Sequence, residues 1–469
     1  MLLLEAHSSR RLKEKKTGED GAAGSLWDPL RDFPDREAMG RHPDIGEDGG
    51  RDYYTLWYTT AVHLPELGGD VGTSANSAND ARKRRGHLTL HGVNYRPIVY
   101  FDGKLLRPYS AAGADGDGPT AQEDAGGMFL RRRYDLGVRE ASAGDRGPSR
   151  VPLEVLVMPP PYVGRPVPLN GTDTNYTRSL ESGQGGDHNL ARSGAVMQFA
   201  AGWDWIRSTP DRNAGIWDRV EVDWVPGDVR LHDVRVDVSS IAVEGAGPAG
   251  RDGGESRLPL GDNVAVSARI DLSVTVTYHD KHDGATPVTG QIEYWIASTS
   301  TPATILSSGM MKNITIHDSA ADHHLGSVAL SNARLWWPHT HSTRPRQALY
   351  SVRVEFRGGR DGDPTLHTSR ATASFGLRTV AAFTHPRTKS FALAVNGHPV
   401  FLAGGNWITT DQFLRHATSQ RRYLQELSIL KQAGFNAIRV WGGGVAETEA
   451  FYEAADVLGL LVYQVSMPL

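Results

Sequence analysis

Residues 401–465 decide the fold class, and they read FLAGGNWITTDQFLRHATSQRRYLQELSILKQAGFNAIRVWGGGVAETEAFYEAADVLGLLVYQV. The segments FLAGGNW, NAIRVW and LLVYQV are short and apolar, which is typical of buried strands. Between them, two predicted helices carry apolar residues on one face, at Tyr423, Leu424, Leu427 and Leu430 and at Phe451, Ala455 and Leu458. Strand, helix, strand, helix and strand form two βαβ units, which right-handed crossover connections turn into a parallel sheet.

Both predicted helices carry start and stop signals. Thr418 or Ser419 can cap the first helix, and Gly434 can end it in a left-handed conformation. Thr448 can cap the second helix, which ends at Gly459. Three parallel strands suit the start of a doubly wound sheet or of a (β/α)₈ TIM barrel, and a barrel typically needs about 250 residues. The last strand would then present an unpaired apolar edge.

The chain upstream of this segment alternates apolar and polar residues, which is typical of half-buried strands. YYTLWYTTAVHL, HLTLHGVNYRPIVYFDG and VPLEVLVM predict a mostly antiparallel first domain, a sandwich or jelly roll. DVRLHDVRVDVSSIAV, NVAVSARIDLSVTVTYHD and QALYSVRVEFRGG predict a second sandwich of immunoglobulin-like type. Low-complexity inserts between these strands predict flexible loops, and residues 1–50 are predicted to be disordered. We therefore expect domains at residues 51–226, 227–376 and 377–469.

Composition excludes several classes of protein. Lysine and arginine number 50 against 54 aspartate and glutamate residues, a formal net charge of −4. No basic excess exists to neutralise phosphates along a nucleic acid, so we expect no nucleic-acid partner. The 469 residues contain no cysteine, which excludes disulfides, thiolate metal sites and a cysteine nucleophile. We see neither a membrane-spanning run nor a signal peptide, so we expect no membrane partner, and the localisation stays open.

The motif GWDW, Gly202–Trp205, is a candidate sugar-binding site, and DRNAGIWD follows it at Asp211–Asp218. The indole faces of Trp203 and Trp205 can stack on the C–H faces of a pyranose, while the Asp204 carboxylate accepts hydrogen bonds from two hydroxyls. The alternative is that the tryptophans belong to the sandwich core and that Asp204 is a turn residue.

Two further motifs lie at the ends of predicted strands. GGNW, Gly404–Trp407, follows the first strand, so that Asn406 and Trp407 can face a pocket in a barrel. RVWGGG, Arg439–Gly444, ends the second strand, and a guanidinium there can orient a carboxylate and hold it ionised. The alternatives are a glycine-rich turn before a helix and a surface arginine beside a flexible loop. GQGGDH, Gly183–His188, holds one aspartate and one histidine, too few for a metal site.

In this order the motifs resemble those of family 2 glycoside hydrolases of the β-mannosidase group. The matching stretches, between about residue 50 and residue 464, are GRDYYTLWY, GMFLRR, GQGGDH, GWDW with DRNAGIWD, LWWP, FGLR, GGNWI, and IRVWGGG with FYEAADVLGLLVYQ. The resemblance implies a galactose-binding-like sandwich, an immunoglobulin-like sandwich and a catalytic TIM barrel. The chain would hold only the first strands and helices of that barrel.

The resemblance also implies a substrate and a site. The reaction would be retaining hydrolysis of the Manβ1-4GlcNAc bond, which makes an N-glycan core mannoside the expected partner, and neither a cofactor nor a metal is implied. The predicted substrate-binding residues are Trp203, Asp204, Trp205, Asn406, Trp407, Arg439 and Trp441. Trp407 would form the floor under the sugar ring, and Arg439 would brace the nucleophile.

A retaining mechanism needs two carboxylates about 5–5.5 Å apart, one as nucleophile and one as acid/base. In the family these glutamates end the fourth and seventh barrel strands, so the resemblance places both beyond Leu469 and predicts that these 469 residues are inactive on their own. Glu447, Glu449 and Glu453 are excluded because they fall on the second predicted helix. The alternatives are an exo-acting β-mannosidase or exo-glucosaminidase, and a non-catalytic carbohydrate-binding protein or inactive fragment.

Overall fold

The structure of the protein is a computed structural model. It describes residues 5–8, 56–64, 83–108, 126–140, 150–158, 214–243, 264–278, 287–316, 320–342, 347–360, 363–411, 414, 419–442 and 444–465. Most of these residues lie in strands, and the two α-helices of the described part both lie after residue 419. Neither of these helices is long and apolar enough to cross a membrane.

The first group of strands forms antiparallel sheets around an apolar core. Its members are β1 (Glu5–Ser8), β2 (Leu56–His63), β3 (Lys83–Leu90), β4 (Val93–Asn94), β5 (Arg96–Phe101), β6 (Lys104–Leu106), β7 (Arg132–Glu140), β8 (Arg150–Met158), β9 (Gly215–Ile216) and β10 (Val220–Pro226). Two sheets have the strand orders β1-β2-β8-β5-β6 and β10-β3-β7, and β4 pairs with β9. Every second side chain of β8 is buried, from Val151 to Val157, because successive side chains of a strand point to opposite faces.

The second group of strands repeats this arrangement with longer strands. Its members are β11 (Val229–Val243), β12 (Val266–Tyr278), β13 (Val288–Ser298), β14 (Thr301–Ile316), β15 (Ala320–Ala333), β16 (Tyr350–Arg360) and β17 (Asp363–Phe375). The strand orders are β11-β12-β15 and β14-β13-β16-β17, all antiparallel. One shared core contains the inward residues of both sheets, such as Ile270, Ile292 and Phe356, so the two sheets form a sandwich. The jelly-roll and immunoglobulin-like types and the domain boundaries stay predictions.

A parallel unit follows an antiparallel meander that the sequence patterns did not predict. The meander is β18 (Val380–Thr384), β19 (Phe391–Val395) and β20 (His398–Val400). The parallel unit is β21 (Gly404–Trp407), α1 (Gln420–Gln432), β22 (Ala437–Val440), α2 (Glu449–Leu458) and β23 (Leu461–Gln464). The order β21-β22-β23 with parallel pairing confirms the two predicted βαβ units.

The helix signals of the sequence act as predicted at three of the four ends. The Ser419 hydroxyl accepts a hydrogen bond from the Arg422 backbone N–H at 3.3 Å, which caps α1. Gly434 and Gly459 have positive φ angles of 86° and 78°, so each supplies the left-handed residue that ends its helix. Thr448 is the N-cap residue of α2 without a side-chain cap hydrogen bond.

Two expectations about local structure are wrong. GGNW does not follow the first strand, as we expected for this motif, but is strand β21 itself, within the predicted strand segment FLAGGNW, because Gly404 to Trp407 pair in register with Ala437 to Val440. A Cβ on Gly404 would lie 1.8 Å from the Ala437 carbonyl oxygen, so only glycine permits this approach. Residues Glu5–Ser8 form β1 against Leu56–Thr59, although we expected disorder there, and the other residues of 1–50 and the predicted flexible inserts lie outside the described part.

The LWWPH segment joins the second sandwich to the parallel unit. Trp336 and Trp337 are almost fully buried. The Trp336 indole N–H donates to the Asp456 carbonyl of α2 at 2.8 Å, and the His339 backbone N–H donates to the Gly459 carbonyl at 2.9 Å. Hydrogen bonds to the end of α2 therefore fix the position of the parallel unit against the second sandwich.

Asp228 lies at the junction of the two sandwiches, where β10 passes into β11. Its side chain is 3% exposed and accepts from Arg85 of β3 at 2.7 Å and from Arg360 of β16 at 3.2 Å. The Asp228 backbone N–H donates to Nδ1 of His367 at 2.8 Å. One buried carboxylate thus links strands of both sandwiches.

We expect Asp228→Asn to lower the free energy of unfolding by roughly 1.5–3 kcal/mol, because it removes the charged acceptor that Arg85 and Arg360 share, while Asp135 still pairs with Arg85 at 2.6 Å. Urea denaturation followed by circular dichroism measures the change. The matched control is Asp237→Asn on the exposed side of β11, for which we expect a change within about 0.5 kcal/mol. Equal effects of both substitutions would contradict a structural role for the Asp228 junction.

Candidate functional site

The parallel sheet presents two faces of different chemistry. In the register of the three strands, Asn406 lies beside Arg439, and Arg439 beside Tyr463. Trp407 and Val440 occupy the alternate positions, on the face that packs against α1 and α2. Because side chains alternate along a strand, Asn406 and Arg439 lie on the face turned away from the helices.

Asn406 and Arg439 form a polar pair at the carboxyl end of β21 and β22. The Arg439 guanidinium donates from Nη1 to the Asn406 Oδ1 at 3.0 Å. Asn406 is exposed and Arg439 half-buried, so the amide N–H groups and the other guanidinium donors face open space on this side of the sheet. Tyr463 extends the same face and is 66% exposed. The face can donate hydrogen bonds to hydroxyl or carboxylate oxygens. The binding roles of Asn406 and Arg439 stay predictions.

Trp407 lies on the opposite face from its predicted place under a sugar ring. Its side chain is 8% exposed and packs against the rings of Tyr423 and Phe451, with centroids 6.4 and 5.2 Å away. The indole N–H donates to a Glu447 oxygen at 2.8 Å. The alternation of the strand explains the difference, since we had expected Asn406 and Trp407 to follow the strand and share one pocket.

Glu447 is a buried carboxylate that the sequence did not single out. It precedes the N-cap residue Thr448 and so lies before α2, not on it as we had expected. The Tyr423 hydroxyl donates to its second oxygen at 2.5 Å. Burial raises the pKa of Glu447, although the hydrogen bonds from Tyr423 and Trp407 lower it. This carboxylate holds the loop before α2 against α1 and β21.

Trp441 follows β22 directly and lies at the contact with the first sandwich. It belongs to an apolar cluster with the buried residues Met128, Leu414 and Val445. Trp217, from the motif DRNAGIWD, packs against the same cluster, and its indole N–H donates to the Met128 carbonyl at 3.0 Å. The first sandwich therefore delivers an indole to the carboxyl end of the parallel strands.

Ion pairs hold this contact in place beside the apolar cluster. Arg219 contacts Glu449 in the first turn of α2 at 2.6 Å, and Arg131 contacts the same carboxylate at 3.7 Å. A carboxylate in the first turn also interacts favourably with the helix dipole. Next to this pair, a hydrogen bond from His91 lowers the pKa of Glu221 to about 2. Burial raises the pKa of Asp218, which accepts the Arg219 backbone N–H at 2.6 Å.

The structure thus brings together four of the seven predicted residues in one region, with different surroundings. Asn406 and Arg439 share the open face, Trp441 lies at the sandwich contact, and Trp407 faces the helices. Trp203, Asp204 and Trp205 lie outside the described residues, as does the GQGGDH segment. The described residues contain no group of three histidines or carboxylates that could hold a metal ion.

Sequence reasoning missed two residues of this region. Trp217 lies in the motif DRNAGIWD but was not among the predicted substrate-binding residues. Its large aromatic side chain was the available signal for a packing or sugar-contacting role. Glu447 gave no signal, because a glutamate before a capping threonine is normally a solvated helix-start residue. Only the burial of the loop between β22 and α2 makes its carboxylate part of a core.

The raised pKa of Glu447 predicts a distinct pH dependence of stability. The folded protein holds this proton more tightly than the unfolded chain, so the stabilising contribution is complete below the ordinary value of 4.5 and is lost as the pH rises through the folded value. We therefore expect the unfolding free energy of the wild type, minus that of Glu447→Gln, to decline as the pH rises above about 4.5. Urea denaturation across this pH range measures the difference.

The control substitution is Glu453→Gln, an exposed carboxylate on α2 that accepts from Gln420 at 3.0 Å. Contributions from Glu221 and other groups are common to all three proteins and cancel in the differences. The wild-type-minus-variant difference in unfolding free energy should decline with pH more steeply for Glu447→Gln than for Glu453→Gln. Equal slopes would contradict a buried carboxylate that takes up a proton in the folded protein.

Comparisons with known proteins identify relatives along most of the chain. The chain is 28% identical over 431 residues to a protein of Lilium longiflorum named mannosylglycoprotein endo-beta-mannosidase. This alignment covers 89% of the present chain and 35% of the lily protein. The chain is also 38% identical over 133 residues to the beta-mannosidase of Capra hircus, in an alignment that covers 28% of the present chain and 14% of the goat protein. The chain thus spans about a third or less of the length of these relatives. No family model matches the chain.

Solved structures share the fold. The beta-D-mannosidase of Dictyoglomus thermophilum superposes with a TM-score of 0.54 at 20% identity, covering 87% of this chain and 40% of that one. The exo-chitosanase of Amycolatopsis orientalis gives 0.53 at 19% identity, covering 87% and 35%. The arrangement of β-sandwiches in the described residues is therefore a fold that these solved enzymes share. The chain is thus similar in sequence to β-mannosidases and similar in fold to enzymes of this kind, as the resemblance to family 2 glycoside hydrolases leads one to expect.

Proposed function

We propose that the protein acts on β-mannosides as a glycoside hydrolase, with the sugar bound on the open face at the carboxyl ends of β21 and β22. The observation that carries the proposal is the Arg439–Asn406 pair, which places guanidinium and amide donors side by side on that face. Trp441 and Trp217 lie at the edge of the same region and offer aromatic surface. Aromatic walls around a few directed polar groups are the usual composition of a sugar site.

The parallel unit is proposed to be the first part of a (β/α)₈ barrel within residues 377–469. Active sites of such barrels lie at the carboxyl ends of the strands, where Asn406 and Arg439 are found. The face that carries this pair is turned away from α1 and α2, as an inward-facing position of a barrel requires. Residues 51–226 and 227–376 are proposed to be the galactose-binding-like and immunoglobulin-like domains that precede it.

The proposed substrate is the Manβ1-4GlcNAc linkage of an N-glycan core. The name of the lily relative, which aligns with most of this chain, supports an endo-acting enzyme on such a linkage. An exo-acting β-mannosidase is the second candidate, because several relatives are named beta-mannosidase without the word endo. Trp203, Asp204 and Trp205 are proposed to contact the mannosyl unit, with Asp204 accepting bonds from two hydroxyls.

The two catalytic carboxylates are proposed to come from sequence beyond Leu469. Within the parallel unit, Glu447 is buried between Trp407 and Tyr423, and Glu449 is paired with Arg219. Glu453 accepts from Gln420 on the helix surface. None of these three glutamates follows a described strand end as a nucleophile or acid/base of a barrel would. We therefore propose that the 469 residues bind the sugar without hydrolysing it.

Titration of the chain with the disaccharide Manβ1-4GlcNAc, followed by saturation-transfer NMR, tests this proposal. We expect saturable binding, weaker binding of GlcNAcβ1-4GlcNAc, and no free mannose in the sample. Equal binding of both disaccharides would favour the exo-glucosaminidase alternative, and release of mannose would place the catalytic carboxylates within the chain. Absence of saturable binding would contradict the site itself.

Arg439→Gln should weaken binding of Manβ1-4GlcNAc by about tenfold or more, because a charged hydrogen bond contributes roughly 1.5–3 kcal/mol. The same titration measures the change. Arg421→Gln, on the exposed surface of α1, is the control and should leave the affinity unchanged. An unchanged affinity for the Arg439 variant would remove this residue from the site.

Asp204→Ala, in a hydrolytically active protein that carries this segment, should raise the activation barrier by several kcal/mol, because hydrogen bonds to sugar hydroxyls strengthen in the transition state. Hydrolysis of a chromogenic β-mannoside gives kcat/KM for wild type and variant. Asp237→Ala on the exposed side of β11 is the control. A variant with unchanged kcat/KM would show that Asp204 does not contact the reacting sugar.

A further inference from the structure

A cleft between the two sandwiches carries an excess of positive charge. It has a volume of about 660 Å³ and lies between β10 of the first sandwich and β16 and β17 of the second. Four guanidinium groups and two carboxylates line it, namely Arg84, Arg230, Arg357, Arg370, Asp223 and Glu355. Two positive charges are therefore not balanced within the lining.

The register of β16 and β17 creates the charge on the second-sandwich side. Glu355 lies opposite Arg370, and Arg357 lies opposite Thr368, so these four side chains share one face of the sheet. Arg370 contacts Glu355 at 2.6 Å, while Arg357 contacts it only at 3.5 Å. Both guanidinium groups keep 62% of their side-chain surface exposed. One carboxylate cannot neutralise both, and donors remain directed to solvent.

Arg353 also contacts Glu355, at 3.4 Å, but it does not line the cleft. Its guanidinium lies over the Trp295 ring at 4.5 Å from the centroid. Glu293 lies opposite Glu355 on β13, which is on the far side of β16 from β17. The Glu293 carboxylate is thus about 5 Å, one strand spacing, further from the cleft than Glu355. It therefore offsets the excess positive charge of the cleft only in part.

The first-sandwich side adds donors. Arg230 is paired with Asp223 at 2.7 Å, whereas Arg84 donates from Nη1 to the Trp224 carbonyl at 3.4 Å. Among the described residues, nothing accepts a hydrogen bond from the buried Nε of Arg84. Across the cleft, the Ser369 hydroxyl accepts the Leu231 backbone N–H at 2.8 Å, on the other face of β17 from Thr368 and Arg370.

We propose that this cleft binds a tetrahedral oxyanion, a phosphate or sulfate group held by Arg357 and Arg370 with a hydroxyl donor from Thr368, which lies on the same face of the sheet. Guanidinium forks match the oxygens of such a group and bind it through paired, charge-assisted hydrogen bonds. The cleft is formed by the two sandwiches, and its lining includes no residue of the parallel unit, so the proposal is independent of the sugar-binding face. The group can be a free ion or an ester on a sugar.

Isothermal titration calorimetry of the 469-residue chain tests the proposal, with inorganic phosphate as one ligand and mannose 6-phosphate as the other. Sodium chloride holds the ionic strength constant, so that general screening does not contribute to the heats. We expect saturable binding of at least one ligand. Tighter binding of inorganic phosphate assigns the cleft to a free ion, and tighter binding of mannose 6-phosphate assigns it to an ester.

Arg370→Gln and Arg357→Gln should each weaken binding by about tenfold. Arg353→Gln is the matched control, because it removes a guanidinium from the same carboxylate but outside the cleft. Circular dichroism shows whether Arg370→Gln disturbs folding. If it does, Arg357→Gln still tests the site, because this substitution removes only the 3.5 Å contact of Arg357 with Glu355. Absence of saturable binding by the wild type, or an equal loss for Arg353→Gln, would overturn the proposal.

Discussion

The parallel register of β21 on β22 is the constraint on which the candidate site depends. Gly404 allows the backbone of β21 to approach the Ala437 carbonyl, and this contact sets which residues lie side by side. Asn406 then lies beside Arg439, and Trp407 beside Val440. A shift of one residue would exchange the two faces, moving the indole to the open side and the polar pair into the helical core. The register that Gly404 permits thus places the polar pair and the packed indole on opposite faces of the sheet.

The two sandwiches act on this sheet through different kinds of contact. The second sandwich holds the amino ends of the unit through backbone and indole hydrogen bonds, as from Trp336 and His339 to the last turn of α2. The first sandwich meets the opposite end of the strands through an apolar cluster and the Arg219–Glu449 ion pair. Satisfied backbone groups give a rigid attachment, whereas exposed ion pairs contribute little energy and allow adjustment. The buried apolar cluster, rather than the exposed ion pair, therefore holds the end that carries the proposed site.

Local patterns in the sequence predicted the elements well because each depends on nearby residues. Alternation gave the sandwich strands, and helical period with capping residues gave α1 and α2, down to the Ser419 cap. The face of the sheet on which each side chain lies depends on strand register, which local sequence patterns do not determine. Placing Gly404–Trp407 after the first strand therefore put Trp407 and Asn406 in one pocket, whereas the strand places them on opposite faces. The residues of GWDW lie outside the described part, so their predicted role rests on their side-chain chemistry and on the resemblance.

Glu447 illustrates why long-range burial escapes such patterns. A buried carboxylate is costly unless several hydrogen bonds satisfy it, and here two donors come from Trp407 and Tyr423, on β21 and α1. A leucine at this position would pack without that cost, but it could not hold the indole N–H and the phenol at fixed distances. The carboxylate therefore fixes the orientation of Trp407 on the underside of the strand whose upper side carries Asn406. The pairing of β21 with β22 in turn places Asn406 beside Arg439, so the buried carboxylate packs the underside of the strand whose upper side carries the polar pair of the proposed site.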